Sequence, residues 1–245
     1  MSNIYQDVTD KIVTALDQGV APWIKPWSSS GSTDVGHHQP YPINAVTQRP
    51  YSGINLPLLW AEARLQGFTQ DRWLTFNQTK KAGGHIRKGE HSTLAVLYKP
   101  MEREEQTESG QPVLDENGQP KVAHFGILRT HFLFNIEQTE RLETLDETSL
   151  ETEPSDPFFP SRPGYAFEEL IAEMGAAFLC AYAGIRRELR HEGYIDSWLG
   201  LLKADNRAIF RASGQARCAS EYVLNLEQQR KQTVMDDSRC MNDGA

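Results

Sequence analysis

Basic and aromatic side chains alternate through the first hundred residues of this sequence. A single-stranded nucleic acid needs both types, because each base offers a face on which an aromatic ring stacks and each phosphate offers a charge to a cation. The pattern predicts affinity without base preference. The alternative is structural, since tryptophans commonly pack in cores and basic turns commonly face solvent. The candidate residues are Trp23, Lys25, Trp27, Arg49, Tyr51, Trp73, Lys80, Lys81, Arg87, Lys88, Tyr98 and Lys99.

Two tryptophans favour the binding interpretation most. Trp23 and Trp27 lie in PWIKPWSSSGS, whose prolines, serines and glycines preclude regular structure. Trp60 instead falls on a predicted helix with Leu56 and Leu59, and we expect it in the core. The turn KKAGG at 80–84 lets backbone approach a phosphate, although it lacks the spacing of a nucleotide-binding loop.

A pair of carboxylates marks the second half. Glu169 and Glu173 lie four residues apart in YAFEELIAEMGAAF, so a helix projects both from one face beside an apolar stripe. Without partner ligands, such carboxylates are commonly solvated or cap a helix. None of the seven histidines lies four residues from another around a glutamate, and the three cysteines form no CxxC, so we expect reduced thiols and no thiolate zinc site.

The overall charge of −8 is unevenly distributed over the 245 residues. Residues 1–100 carry 10 basic and 7 acidic side chains, residues 101–163 carry 5 and 14, and residues 164–245 carry 10 and 12. The acid is therefore concentrated in the middle. The N-terminal residues lack the apolar run of a signal peptide, and the longest apolar stretch, 176–185, is too short to span a bilayer, so we expect a cytoplasmic protein with no membrane partner.

The elements that must position these residues follow from periodicity and turn signals. Apolar residues every four positions predict a helix over 4–17, and within 53–65 a second helix is expected after Pro57. Residues 73–78, 94–98 and 124–135 are predicted strands, and residues 101–122, with Asn117-Gly118, form a hairpin excursion. This half mixes helices with an antiparallel sheet.

The rest of the chain is predicted to be a linker followed by helices. Residues 141–163 are acidic and then proline-rich, which is typical of a linker. Helical patterns begin at Tyr165 and cover 194–202 and 205–229, and the polar end over 236–245 is expected to be a flexible tail. We therefore predict an α+β protein with a domain at 1–140 and a mostly helical one at 164–235.

Several motifs follow one another in order along the first 140 residues: PWIKPW (22–27), NAVTQRPYSGIN (44–55), LPLLW (56–60), WLTFNQTKKAGGHIRKGE (73–90), VLYK (96–99) and FLFNIEQTE (132–140). Together they resemble the N-terminal single-stranded DNA-binding domain of the ArdC family, the antirestriction proteins of plasmids and other mobile elements. A related domain begins certain conjugative primases. The resemblance implies binding of single-stranded DNA, and it adds Asn55, Thr75 and Gln78 to the candidate DNA-binding residues.

The second half resembles the end of that family's zincin-like metallopeptidase domain, through YAFEELIAEMGAAFLCAYAGI (165–185) and residues 193–224. The resemblance implies that Glu169 corresponds to the third zinc ligand and Glu173 to a residue that orients a ligand. In the family an HExxH helix supplies two histidine ligands and the general base. This sequence contains no HExxH, and only residues 141–164 separate the strand that carries FNIEQTE from the helix that carries EELIAE. We infer an internal deletion that leaves a remnant with no expected cofactor.

These observations favour a non-enzymatic single-stranded DNA-binding protein. One alternative is a zinc peptidase with a rearranged site, in which His191 or another histidine joins Glu169. A second is an acidic protein whose residues 101–163 mimic DNA and occupy a restriction enzyme, although their Gly, Pro, Ser and Thr content indicates a solvated segment. The apolar faces of the remnant predict either marginal stability or docking against the N-terminal domain.

Overall fold

A computed structural model describes residues 3–25, 40–107, 111–114, 118–142, 165–185 and 194–242. Trp27, His191 and the predicted linker from residue 143 onward lie outside these ranges. The chain forms helices and a separate set of strands, which confirms the α+β class. None of the described helices combines the length and apolarity that crossing a bilayer requires.

Two helices of the first half follow the predicted pattern. Helix α1 spans Ile4–Asp17, and its buried face carries Val8, Ile12 and Leu16 at the predicted spacing. Helix α2 spans Asn55–Gln66 and ends at Gly67, whose φ of 71° gives a left-handed cap. The prediction that this helix begins after Pro57 is wrong, since it begins two residues earlier, at Asn55. Pro57 fits the first turn, where its missing N–H has no helical acceptor in any case.

A four-stranded sheet holds the first half together. Strands β1 (Ile43–Asn44), β2 (Arg72–Thr75), β4 (Thr93–Glu104) and β5 (Val122–Asn135) lie in the order β1-β2-β5-β4. The β1–β2 pairing is parallel and the others are antiparallel. Strands β3 (His85–Ile86) and β6 (Thr139–Glu140) form a separate antiparallel pair.

The prediction of one strand over 73–78 is wrong. Strand β2 ends at Thr75, and helix α3 spans Phe76–Lys81. Thr75 and Gln78 form a capping box, in which each side chain bonds the other residue's backbone N–H. This local cap outweighs the β propensity of Phe76, which becomes the first residue of the helix.

The expected excursion after residue 100 continues the sheet. Strands β4 and β5 pair from Thr93 with Leu133 to Glu104 with Val122, so both extend into the predicted excursion. Beyond them, isolated bridges join Gln106 to Pro112 and Leu114 to Pro120. Asn117 lies outside the described residues, and Gly118 has a φ of 76°.

In the described residues from Tyr165 onward, three helices form the second half, as predicted. They are α4 (Tyr165–Ala183), α5 (Ile195–Ala204) and α6 (Ala208–Asn242). Helix α6 passes the predicted end at residue 229 and continues into the expected tail. Gly175 of α4 faces Ala216 of α6, since a Cβ added to Gly175 would lie 3.7 Å from the Ala216 carbonyl oxygen.

A continuous core joins the two halves. The rings of Trp23 and Trp198 meet edge to face at 5.3 Å between centroids, and Trp60 meets Phe178 at 6.1 Å. The Thr9 hydroxyl of α1 donates to the Asn206 carbonyl oxygen at 2.8 Å. The helical remnant therefore docks on the first half, which is one of the two expected outcomes.

Candidate nucleic-acid interface

A network of amide hydrogen bonds fixes the start of α3. Thr75 N–H donates to Gln78 Oε1 at 2.8 Å, and Gln78 N–H donates to Thr75 Oγ1 at 3.2 Å. Gln78 Nε2 also donates to Asn44 Oδ1 at 3.3 Å, which ties α3 to β1. Thr75 and Gln78, both predicted to bind DNA, are bound within the protein, where they position the helix.

Exposed lysines extend from the end of this helix. Lys80 and Lys81 form its last turn, and Lys88 follows β3. The backbone after α3 is supported in two ways: β3 pairs with β6, and Gly84 packs against Leu142. The structure therefore presents these ammonium groups to solvent on a well-supported helix and turn, as the predicted interface requires.

The guanidinium group of Arg87 has a partner inside the protein. Arg87 Nη2 lies 2.8 Å from Glu90 Oε1, and Gln138 Nε2 donates to Glu90 Oε2 at 2.9 Å. The Gln138 and Arg87 hydrogen bonds lower the pKa of Glu90. Arg87 is exposed, but a phosphate would compete with Glu90 for it.

Four candidates that we expected to contact DNA are buried, and their role is corrected. Trp23 and Trp73 are 0% exposed, Tyr51 is 4% exposed, and Asn55 is also buried. Trp23 packs on Trp198, and Trp73 packs on Phe68 with 6.0 Å between ring centroids. Since no base can reach these rings in this structure, the structural alternative fits them. Trp60 is buried as predicted.

The remaining candidates are distributed along the chain. Lys99 on β4 is exposed, whereas Lys25, Arg49 and Tyr98 are half-buried. Trp27 lies outside the described residues, so its role stays a prediction.

Two exposed phenylalanines were missed by sequence reasoning. Phe76 is 47% exposed and Phe132 is 58% exposed. Lys80 Nζ lies over the Phe76 ring, 4.8 Å from its centroid. Both residues lie within the motifs that resemble the ArdC family, but the sequence pattern around them does not show which rings face solvent.

Asp71 is buried between the side chains of Trp60 and Trp73. Trp60 Nε1 donates to Asp71 Oδ2 at 3.1 Å, and Trp73 Nε1 donates to Oδ1 at 3.4 Å. Burial raises the pKa of Asp71 to about 6, although Lys25 and both indole N–H groups oppose the rise. Burial in turn lowers the pKa of Lys25. The charge of Lys25 therefore acts on the buried Asp71 carboxylate.

Among the described residues, the carboxylates of α4 have no set of companion metal ligands. Glu169 and Glu173 are both half-buried on this helix. In the part of the chain that the structure describes, no three His, Cys, Asp or Glu side chains cluster so that they could hold a metal ion. A zinc site needs three or four protein ligands, so the described donor set does not fit the metal of the intact family.

Comparison with known protein families shows to which family this chain belongs. Residues 2–134, more than half of the chain, match the family described as the N-terminal domain of anti-restriction factor ArdC. This chain belongs to the ArdC family. Residues 143–215 match a second family, described as a zincin-like metallopeptidase. The ArdC relationship predicted from the sequence motifs is thereby confirmed.

Known relatives of this ArdC-family chain include a DNA primase and an antirestriction protein of a plasmid. It is 27% identical to a DNA primase TraC of Escherichia coli over 93% of this chain, but it spans only 28% of that primase. It is 25% identical to the uncharacterized protein y4eC of Sinorhizobium fredii, with 91% of this chain and 92% of y4eC covered. A metal-free crystal structure of antirestriction protein ArdC from plasmid R388 is 25% identical, with a TM-score of 0.65 and coverage of 90% of this chain and 96% of that one.

The alignments also reveal a length difference. The TraC alignment extends over 301 positions, whereas 93% of 245 residues is about 228, so about 70 positions have no counterpart in this chain. The y4eC alignment extends over 290 positions, against 91% of 245, or about 223 residues. This ArdC-family chain is shorter internally than both relatives by a similar amount.

Proposed function

We propose that this protein binds single-stranded DNA without sequence preference, as an antirestriction protein of a mobile element, and that it has no peptidase activity. The observation that carries the proposal is the supported basic surface of α3 and the turn after it. Lys80, Lys81 and Lys88 are exposed there, while neighbouring polar side chains hold the backbone in place. Such a surface can neutralise phosphates without reading bases.

The distribution of charge supports this use of the first half. Residues 1–100 carry a net charge of +3, because the acidic excess of the chain lies at 101–163. A strand bound at α3 is therefore attracted locally despite the total of −8. The similarity to a DNA primase and to an antirestriction protein of a plasmid supports the same assignment.

The lack of peptidase activity is inferred from the missing chemistry. No HExxH occurs in the sequence, so the general base and two histidine ligands of the zincin mechanism have no counterpart. The shortfall of about 70 aligned positions is consistent with loss of the segment that carries them. We propose that Glu169 and Glu173 are the edge of a former site and bind no metal.

A titration in increasing salt tests DNA binding directly. We expect the affinity for a single-stranded oligonucleotide to fall steeply with salt, and to exceed the affinity for the same sequence as a duplex. Lys88→Ala should weaken binding and reduce the salt slope by about one, as expected for one lost phosphate contact. Lys203→Ala, which changes an exposed lysine on α5, is the matched control. Absence of binding at low salt would refute the proposal.

Metal analysis of the purified protein tests the second part. We expect less than stoichiometric zinc, and no change in thermal stability on addition of a chelator. Stoichiometric zinc whose removal destabilises the protein would instead support the peptidase with a rearranged site. A third measurement tests whether this protein competes with duplex DNA for a restriction enzyme. Competition that depends on the acidic residues of 101–163 would support the DNA-mimic alternative.

A further inference from the structure

The exposed rings of Phe76 and Phe132 occupy neighbouring positions in the fold. Thr75 of β2 is the register partner of Leu133 of β5. Phe76 follows Thr75 as the first residue of α3, and Phe132 precedes Leu133 on β5, so the two phenylalanines flank this strand pair. Paired strands lie about 4.8 Å apart, which brings the backbone at the two positions close enough for one ligand to reach both side chains. Phe132 also faces Leu94 of β4, which is buried beside it.

Exposure by itself would not identify a site, since single apolar side chains occur on most protein surfaces. Here a second observation points to an anionic aromatic ligand. The Lys80 ammonium lies 4.8 Å from the centre of the Phe76 ring. Lys81, which is also exposed, projects from the adjacent face of the same helix. Cations thus adjoin an aromatic surface, which is the combination that stacks a base and neutralises its phosphate.

The backbone around the two rings is rigidly held. Phe76 is the first residue of α3, directly after the capping residue Thr75. Phe132 lies within the long pairing of β4 with β5. Because the backbone at both positions is already ordered, ligand binding need not order the main chain there, which favours use of these rings as a recognition surface.

We propose that Phe76 and Phe132 form the base-stacking platform of this protein, with Lys80 and Lys81 as the adjoining phosphate ligands. This inference rests on the proposed binding of single-stranded DNA and identifies the residues that contact bases. The platform selects single strands because a duplex hides its base faces within its own stack, whereas an unpaired base exposes them. The platform replaces Trp23, Tyr51 and Trp73, which are buried.

Two oligonucleotides separate stacking from charge. A thymidine strand and a strand of abasic sites of equal length carry the same phosphates, but only the first has bases to stack. We expect the wild-type protein to prefer the thymidine strand by at least about fivefold, the low end of measured base–aromatic stacking. Phe76→Ala with Phe132→Ala should abolish that preference and leave both the abasic affinity and the salt slope unchanged.

Matched variants make the result specific. Tyr222→Ala removes another exposed aromatic ring, on α6, and should keep the preference for bases. Lys80→Ala with Lys81→Ala should reduce the salt slope and weaken binding to both strands. Because all five changed positions are exposed, circular dichroism and thermal unfolding should confirm an intact fold in each variant.

The outcomes distinguish this proposal from the function on which it rests. A wild-type protein that binds neither strand at low salt would overturn both. One that binds the two strands equally would keep the DNA-binding function and overturn the platform. A double phenylalanine variant that retains the full preference for bases would likewise assign stacking to other residues.

Discussion

The side-chain amide of Asn55 bonds both backbone groups of Val96. Asn55 Nδ2 donates to the Val96 carbonyl oxygen at 2.8 Å, and the Val96 N–H donates to Asn55 Oδ1 at 2.8 Å. Strand β4 lies at the edge of the sheet, so these bonds satisfy backbone groups that have no partner strand. They also join the first residue of α2 to the sheet.

Asn55→Ala should destabilise the protein by about 2–4 kcal/mol. It leaves a buried N–H and a buried carbonyl oxygen without partners, and each such loss costs roughly 1–3 kcal/mol. Urea unfolding measures the effect. Asn77→Ala, on the exposed surface of α3, should change stability by less than about 0.5 kcal/mol. An unchanged urea midpoint for Asn55→Ala, with loss of DNA binding, would show that Asn55 acts on the ligand after all.

The buried carboxyl group of Asp71 predicts a stability change with pH. Its pKa rises from 3.8 to about 6 on burial, so between these values the folded protein holds a proton that the unfolded chain has lost. This group therefore stabilises the fold most at low pH, and its contribution is lost as the pH rises from about 4 through 6.

Asp71→Asn removes that titration but keeps an oxygen that can accept from an indole N–H. We expect the wild-type stability, measured relative to Asp71→Asn by urea unfolding, to fall by about 2–3 kcal/mol from pH 4 to pH 7. Taking the difference cancels the other carboxyl groups, which titrate in both proteins. A difference that is constant over this range would contradict the raised pKa.

Contacts between the halves predict that they unfold together. Trp198→Ala removes the ring that packs on Trp23, and truncation of a buried tryptophan costs about 3–5 kcal/mol. Hydrogen exchange should show faster opening of α1 as well as of α5. Val223→Ala, on an exposed position of α6, is the control. If α1 kept its full protection while α5 lost it, the two halves would be independent units.

Two glycines should respond to alanine in opposite directions. A Cβ on Gly84 would lie 2.8 Å from Leu142 Cδ2 and 2.9 Å from the Glu140 carbonyl oxygen, and the backbone oxygen cannot easily move. A Cβ on Gly175 would meet Ala216 at 3.7 Å, an ordinary contact. We therefore expect Gly84→Ala to lower the melting temperature and Gly175→Ala to raise it. The gain at Gly175 arises because alanine stabilises a helix interior by up to about 1 kcal/mol relative to glycine. Equal shifts of the same sign would contradict these packing distances.

Local sequence signals predicted most of the elements. The apolar spacing in α1 and the three helical patterns of the second half correspond to observed helices, because one buried face produces that periodicity. The errors lie where a short-range bond competes with propensity. The Thr75–Gln78 cap ended β2 early, and the acidic residues after Met101 concealed a longer strand pairing.

The sequence by itself determined the ArdC relationship and the absence of HExxH, since both depend only on the identity and order of residues. It could not decide which aromatic rings meet solvent. Trp23 is buried because Trp198, far along the chain, covers it, whereas Phe76 and Phe132 stay exposed because no described element packs over them enough to hide them. Burial is a property of contacts between distant segments, so it is decided only when the chain has folded.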